Sequence, residues 1–256
     1  MTTSPSAAGA AASTAFSSLS LHPATLQNLQ QLGYEQMTPI QAASLPLTLR
    51  GQDLIAQAST GSGKTAAFGL PLLERLNQRW FAVQGLVLCP TRELADQVAT
   101  EIRRLARAQE NIKVVTVYGG VPSRNQIASL ENGAHIVVGT PGRVMDLIER
   151  GALDISKLQT LVLDEADRML DMGFYADIVT VVEQCPAQRQ TLLFSATYPE
   201  GIAQLAQRFM REPQMVQVAA QHSAHKIAQR WYEVPARHKL DVVVQMLAHF
   251  RPESTI

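Results

Sequence analysis

The chain has 256 residues, of which 46% are hydrophobic, and it carries 22 basic and 22 acidic residues. This length suits one large α/β domain or one domain with part of another, and no apolar run approaches the ~20 residues that a membrane span needs. The zero formal net charge argues against a protein that collects nucleic acid through a general cationic field.

The N-terminal region combines a small-residue tail with two predicted helices. Residues 1–14 are rich in Ala, Ser and Thr, which is typical of a flexible tail and not of a signal peptide. Leu residues at helical spacing over 26–32 predict a first helix, and Thr38-Pro39 predicts the start of a second that ends near Leu49. Gln41 falls in its first turn. The Gln41 amide has the donor and acceptor that complement adenine, and a simply solvated side chain is the alternative.

The next segment, Ala58-Ser-Thr-Gly-Ser-Gly-Lys64-Thr65, lies between a predicted strand and a predicted helix over 66–76. Small residues let successive backbone N–H groups point into one concavity, and the helix N-terminus adds partial positive charge. Lys64 can then reach the outer phosphates of a nucleotide, and Thr65 can ligate Mg²⁺. The usual pattern has Gly where Ala58 stands, and a turn that merely caps a helix is the alternative.

Short apolar runs then alternate with amphipathic stretches along the chain. Several of these runs lack polar residues, which is typical of strands buried on both faces, so we predict an α/β fold with a mostly parallel sheet and helices on both faces. In such sheets ligands bind beyond the carboxyl ends of the strands. The candidate strands are 53–58, 85–89, 113–118, 136–140, 160–164, 191–195 and 215–218.

Three carboxylates follow the apolar run 161–163. Asp164 can hold Mg²⁺ opposite Thr65, directly or through water, and Glu165 beside it can orient or deprotonate a water that attacks a phosphoryl group. Acidic residues at a helix start also stabilise the helix dipole, which is the structural alternative for these two residues and Asp167.

The cysteines and histidines form no metal pattern in the sequence. Cys89 and Cys185 lie nearly a hundred residues apart, and we predict that both are buried, reduced thiols, which fits a cytoplasmic protein. We interpret the six histidines as surface or structural residues.

Together these motifs resemble the DEAD-box family of ATP-dependent RNA helicases. Asp164-Glu-Ala-Asp167 spells the family name, and the similarity covers residues 16–218, which correspond to the first RecA-like, P-loop NTPase domain. Residues 81–84, 95–107 and 251–256 are most similar to the bacterial DbpA branch, whose members assist ribosome assembly. The other matching motifs are Gln41, Pro90 to Ala95, Gly119-Gly120, Thr140 to Arg143 and Ser195 to Thr197.

The resemblance implies a role for each matching residue. ATP and Mg²⁺ would be the cofactors, with Lys64, Asp164 and Glu165 in catalysis and Asp164 and Thr65 on the metal. Asp167 would couple the nucleotide site to RNA through Ser195 and Thr197. The implied nucleotide contacts are Phe16, Gln41, Thr60, Gly61, Ser62, Gly63, Lys64 and Thr65. The implied contacts to the RNA backbone are Pro90, Thr91, Arg92, Glu93, Gly119, Gly120, Thr140, Pro141, Gly142 and Arg143.

The segment after residue 218 differs in character. Residues 219–226 read as a linker, 227–234 as a strand and 238–250 as a helix, so the resemblance implies a domain over 15–218 and the start of a second RecA-like domain over 227–256. Family members carry arginines in that second domain that complete the ATP site. We therefore expect this sequence to be a piece of a longer protein and to be nearly inactive by itself.

The leading functional hypothesis is the ATP-binding half of an RNA helicase that separates strands, with ribosomal RNA as the expected substrate and a monomer as the expected state. A nucleotide-gated RNA clamp that binds without unwinding is the alternative from another class. A metabolic P-loop kinase is a third reading, but the sequence has no recognisable lid for a phosphate acceptor.

Overall fold

A computed structural model describes residues 14–218 and 230–252 of the chain. The chain divides into two compact units, Met1–Ala220 and Gln221–Ile256. Apart from Thr14, the predicted tail over 1–14 lies outside the described residues, as does the predicted linker over 219–226.

The first unit is built on a sheet of seven strands that all pair in parallel, which confirms the predicted α/β fold. The strand order is β3-β4-β2-β5-β6-β1-β7. Because the strands are parallel, their carboxyl ends lie along one edge, where the loops of this protein can meet. The strands are β1 (Leu54–Gln57), β2 (Gly85–Leu88), β3 (Val114–Val117), β4 (Ile136–Gly139), β5 (Thr160–Leu163), β6 (Gln190–Ser195) and β7 (Gln214–Gln217).

Helices connect the strands and cover both faces of the sheet. None of the helices within 14–218 and 230–252 has the length and apolar character to cross a membrane. The helices of the first unit are α1 (Pro23–Gln31), α2 (Pro39–Thr48), α3 (Lys64–Arg75), α4 (Arg92–Leu105), α5 (Arg124–Glu131), α6 (Pro141–Glu149), α7 (Ala166–Asp171), α8 (Tyr175–Gln184) and α9 (Glu200–Phe209).

The core forms one apolar layer on each face of the sheet. In β2, Val87 points into the layer shared with Phe68 of α3, whereas Leu86 and Leu88 point into the layer shared with Val144 of α6. All four residues of β2, β4 and β5 are buried, which explains why these runs contain hardly any polar residues. The two layers hold the strands rigidly, so the loops at their carboxyl ends have fixed starting points.

The second unit corrects one prediction. Residues Arg230–Val234 form no strand, and 227–229, the rest of the predicted strand, lie outside the described residues. A strand needs a paired neighbour and a buried face. Residues 230–252 contain no strand with which this segment could pair, and none of their side chains is buried. The predicted helix is present as a short 3₁₀ turn, Ala236–His238, followed by α10 (Lys239–Phe250).

Both cysteines are free and buried, as predicted. Burial raises the pKa of the Cys89 thiol well above its usual value, and the neighbouring Asp164 and Glu165 raise it further. Burial also raises the pKa of Cys185 to about 11, against a smaller lowering by Arg189.

These pKa shifts predict that neither thiol reacts readily with a disulfide reagent at pH 8 while the protein is folded, because the thiolate is the nucleophile. Both cysteines should react after unfolding in guanidinium chloride. The absorbance released by Ellman's reagent measures the rate of thiol reaction in the folded and in the unfolded protein. A thiol of the folded protein that reacted at the rate of free cysteine would contradict the prediction.

Candidate functional site

A glycine-rich loop joins β1 to α3 at the carboxyl edge of the sheet. Gly61 (φ +78°) and Gly63 (φ +93°) both have left-handed backbone conformations that favour glycine. A Cβ on Gly63 would also lie 2.6 Å from Nε2 of Gln41. The hydroxyl of Ser62 donates to the carbonyl of Ser59 at 2.8 Å, so the loop is held as a compact turn in front of α3.

Gln41 joins this loop to the start of α2. Its Nε2 donates to the carbonyl of Gly63 at 3.0 Å, and its Oε1 accepts from the N–H of Thr38 at 2.9 Å. With 2% of its surface exposed, Gln41 is not the solvated residue of the alternative interpretation. One N–H and one lone pair of the amide remain for a ligand, and adenine recognition stays a prediction.

Phe16 lies in a short 3₁₀ helix, Phe16–Ser18, and belongs to the apolar layer around α3. Its ring centroid is 6.0 Å from that of Tyr34, with the two rings edge to face. Only 4% of the residue is exposed, so the protein covers most of the ring. Its predicted contact with adenine stays a prediction.

Lys64, the first residue of α3, brings a buried basic side chain to the site. Its side chain is buried, and among the described residues its Nζ has no hydrogen-bond partner. Lys64 lines a cavity of about 500 Å³ together with Thr65, Asp164 and Glu165. A buried charge without hydrogen bonds is costly, and an anion bound against the loop would lower that cost, so these residues fit a phosphate group.

Asp164 directly follows β5 and brings a carboxylate to the same cavity. Burial raises its pKa to about 6, against a lowering by Lys64, while Glu165 raises it further. The carboxylate is therefore mostly ionised at neutral pH and would be stabilised by a cation. In the described parts of the chain, no three His, Cys, Asp or Glu side chains form a metal cage. A metal held by Thr65 and Asp164 would complete its shell with water and phosphate oxygens, as Mg²⁺ usually does.

Glu165 has an unusual backbone conformation. It precedes α7 with φ +51° and ψ +51°, a left-handed conformation that costs a residue with a Cβ about 1–2 kcal/mol. Its Oε2 accepts from Nη1 of Arg168 at 3.2 Å. Strained residues of this kind gather at functional sites, and here the strain places a second carboxylate in the cavity beside Asp164.

Asp167 of α7 is hydrogen-bonded both to Ser195, the last residue of β6, and to Thr197 two residues further on. Oδ2 of Asp167 accepts from the N–H and the hydroxyl of Thr197, at 2.9 and 2.8 Å, and its N–H donates to Oγ of Ser195 at 3.3 Å. Burial raises the pKa of Asp167, but hydrogen bonds from Thr197 and Ser195 outweigh it, and the pKa is lowered overall. The coupling role of the three residues stays a prediction.

The predicted RNA contacts follow β2, β3 and β4, which are neighbours in the sheet, and they lie in the loops after these strands and in the first turns of α4 and α6. Arg92 and Glu93 are exposed and bonded to each other, with Nε of Arg92 2.5 Å from Oε1 of Glu93. Gly119 and Gly120 are also exposed, and Gly120 has φ +81°. The structure thus places these motifs side by side without testing their contact with RNA.

Arg143 makes contacts that the sequence analysis did not foresee. One guanidinium nitrogen donates to Oε1 of Gln126 at 3.1 Å and another to the carbonyl of Val121 at 3.0 Å. Its Nε lies 3.7 Å from a carboxylate oxygen of Asp146. Arg143 therefore holds the loop after Gly120 in place, whatever its contact with RNA.

Four residues that the sequence analysis missed complete the cavity. The hydroxyl of Tyr34 donates to Oε1 of Glu101 at 2.5 Å, and Oε2 of Glu101 accepts from Arg104 at 2.8 Å. Gln97 lines the same wall. Gln97, Glu101 and Arg104 are spaced at i, i+4 and i+7 and so share one side of α4. That spacing was a visible signal, whereas nothing in the sequence linked Tyr34 to it.

Comparison with protein families finds one match that covers most of the described chain. A family model described as DEAD/DEAH box helicase matches residues 38–205. ATP-dependent RNA helicase DbpA of Escherichia coli is 50% identical over 244 residues, which are 95% of this chain and 53% of that protein. DEAD-box ATP-dependent RNA helicase CshA of Geobacillus kaustophilus is 45% identical over 95% of this chain and 52% of its own length. The chain thus spans about half the length of these curated relatives.

Solved structures match the same region. The crystal structure of a DEAD box protein from Methanococcus jannaschii is similar with a TM-score of 0.77 and 38% identity, over 91% of this chain and 63% of that one. A hypothetical ATP-dependent RNA helicase from Sulfolobus tokodaii has a TM-score of 0.71 and 39% identity, over 77% and 57% of the two chains.

Proposed function

The chain belongs to the DEAD/DEAH box helicase family, and from that premise we propose that it is the ATP-binding, RecA-like domain of an ATP-dependent RNA helicase. The observation that carries the proposal is Lys64, whose buried ammonium has no hydrogen-bond partner within the described chain and which lines a cavity together with Thr65, Asp164 and Glu165. We assign this domain to residues 15–218, with a linker over 219–226 and the start of a second RecA-like domain over 227–256.

In this proposal the glycine-rich loop binds the triphosphate. Backbone N–H groups of Gly61 to Lys64 would donate to phosphate oxygens, and the ammonium of Lys64 would contact the outer two phosphates. Mg²⁺ held by Thr65 and Asp164 would offset phosphate charge. Glu165 would orient the attacking water and accept its proton.

RNA would bind across the loops that follow β2, β3 and β4. Backbone N–H groups at helix N-termini and in glycine turns can bind phosphates without an excess of Lys and Arg, which reconciles RNA binding with a net charge of zero. Contacts of this kind read the RNA backbone and not the bases. Asp167, hydrogen-bonded to Thr197, would relay the state of the nucleotide to this surface.

The DbpA relative supports a narrower proposal about biological role. We propose that ribosomal RNA is the substrate, that the protein works as a monomer in the cytoplasm, and that strand separation is the outcome of ATP turnover. The 50% identity to DbpA supports the first point. Strand displacement on a ribosomal RNA duplex would test it.

Adenine selectivity tests the nucleotide half of the proposal. We expect the chain to bind ADP about tenfold more tightly than GDP, because guanine would leave part of the Gln41 amide mispaired at a cost of ~1–3 kcal/mol. Gln41→Ala should bring the two affinities closer together. It should also weaken the binding of both nucleotides, because Gly63 loses its hydrogen bond from Gln41. Calorimetry measures all four affinities.

The control for this experiment is Gln30→Ala, which changes an exposed glutamine on α1 and should leave both affinities unchanged. Equal affinity of the unchanged protein for ADP and GDP would remove Gln41 from adenine recognition. The role of Lys64 would still stand in that case, because it depends on phosphate alone.

A further inference from the structure

The strand β3 is an edge strand, so the border of the sheet along its outer side has backbone groups that no neighbouring strand pairs. The carbonyl of Lys113 accepts from Ile136 and that of Val117 accepts from Thr140, both at 3.1 Å. The β4 register pairs Thr116 with Val138. Because backbone groups alternate in direction along a strand, Val114, Thr116 and Tyr118 turn theirs away from β4.

Two side chains cover the outer carbonyls at the ends of this border. Nη2 of Arg103 donates to the carbonyl of Val114 at 2.8 Å, and Nε2 of Gln126 donates to the carbonyl of Tyr118 at 3.0 Å. Thr116 lies between Val114 and Tyr118. Within residues 14–218, neither its N–H nor its carbonyl has a hydrogen-bond partner. One donor and one acceptor therefore stand open side by side.

These open groups lie in a cleft of about 570 Å³. Its lining includes Thr116, Tyr118 and Ser129, and also Val121 and Pro122. Val121 and Pro122 directly follow Gly119-Gly120 in the chain, so the cleft adjoins the proposed RNA surface. It lies beside that surface and takes no part in the nucleotide cavity.

We propose that this cleft binds a nucleobase of RNA that lies on the proposed surface, with the base edge paired to the N–H and carbonyl of Thr116. The inference rests on the proposed RNA-binding function and extends it from backbone contacts to a base contact. Every base carries a donor next to an acceptor, and bases of single-stranded RNA are recognised through such edges and by stacking on aromatic rings. Tyr118 supplies an aromatic ring in the same cleft.

The capping side chains argue against a peptide as the occupant. An added strand would pair with successive outward groups along the border, but Arg103 and Gln126 already occupy the carbonyls on either side of Thr116. A nucleobase needs only the single open pair.

The test compares two kinds of RNA by NMR with the ¹⁵N-labelled chain. Octauridine and octaadenosine carry bases, whereas an abasic ribose-phosphate octamer presents the backbone alone. We expect the amide signal of Thr116 to shift with the first two and not with the abasic octamer. We expect the abasic octamer to bind about five- to a hundredfold more weakly, the usual scale of losing one two-point base contact.

A matched pair of variants on α5 locates the effect. Ser129→Tyr fills the cleft from an exposed helix position, and Ala128→Tyr adds the same side chain one residue away, outside the cleft lining. Ser129→Tyr should lower the affinity for the two base-carrying octamers to that for the abasic octamer. The affinity for the abasic octamer should not change. Ala128→Tyr should behave like the unchanged protein with all three.

The outcomes separate this inference from the function on which it rests. If all three octamers bind equally, or shift Thr116 equally, RNA binding stands and the base contact is wrong. Shifts of Thr116 that grow with protein concentration in the absence of RNA would assign the border to a second copy of the chain. No binding of any octamer would overturn the RNA half of the proposed function and this inference together.

Discussion

Replacing Lys64 with methionine is expected to weaken ADP binding in the presence of Mg²⁺ by about a hundredfold, while making the protein without nucleotide more stable. The loss follows because a charge-assisted contact to phosphate in a buried site is worth several kcal/mol when its partner remains. The gain follows because methionine has a similar shape and removes a buried ammonium that forms no hydrogen bond within the described residues, a gain that outweighs the lost attraction to Asp164. We expect ~1–2 kcal/mol of added unfolding free energy.

The prediction is specific because one substitution should lower the affinity for ADP and raise the free energy of unfolding. Calorimetry gives the affinity, and denaturant unfolding without nucleotide gives the stability. Lys157→Met, which changes an exposed lysine, is the control and should alter neither. A Lys64→Met protein that was strongly destabilised would show that Lys64 supports the fold, and unchanged ADP affinity would remove it from the phosphate site.

Replacing Glu165 with glutamine is expected to lower ATP turnover by a factor of ~10² to 10⁴, the range for loss of a positioned general base. The measurement needs a protein that joins this domain to a second RecA-like domain, with RNA present. Glutamine keeps the size of the side chain and one oxygen, so the affinity for ATP should remain within a few fold. Phosphate release under steady-state conditions gives the turnover.

Glu149→Gln is the matched control, because Glu149 is an exposed glutamate at the end of α6. It should leave turnover unchanged. Turnover that survived Glu165→Gln would mean that another group orients the water, and Asp164 would be the next carboxylate to examine in the cavity. Loss of ATP affinity in Glu165→Gln would instead point to a role in binding.

The sheet and the assembly of the site could be predicted because their signals are local. Runs such as 85–89 lack polar residues because both faces of β2 are buried, and parallel strands bring their carboxyl ends together wherever the intervening chain goes. The loop before Lys64 and the carboxylates after β5 could therefore be placed at one edge from the sequence alone.

Contacts between distant residues could not be predicted in the same way. The bond from Tyr34 to Glu101 spans 67 residues, and that from Arg143 to Val121 spans 22. A side chain such as Gln41 can bond to protein or ligand with the same groups, so its link to Gly63 had no separate signal. The predicted strand is wrong over its described residues, 230–234, for a related reason, because residue preference cannot replace a pairing partner.

The most direct test of the account is a calorimetric titration of this chain with ADP, with Mg²⁺ and with the metal removed by EDTA. We predict one nucleotide bound per chain, tighter binding with Mg²⁺, and loss of most of the affinity in Lys64→Met. The absence of binding, or affinity that neither Mg²⁺ nor Lys64→Met changes, would contradict the claim that the cavity around Lys64, Thr65 and Asp164 is a nucleotide site.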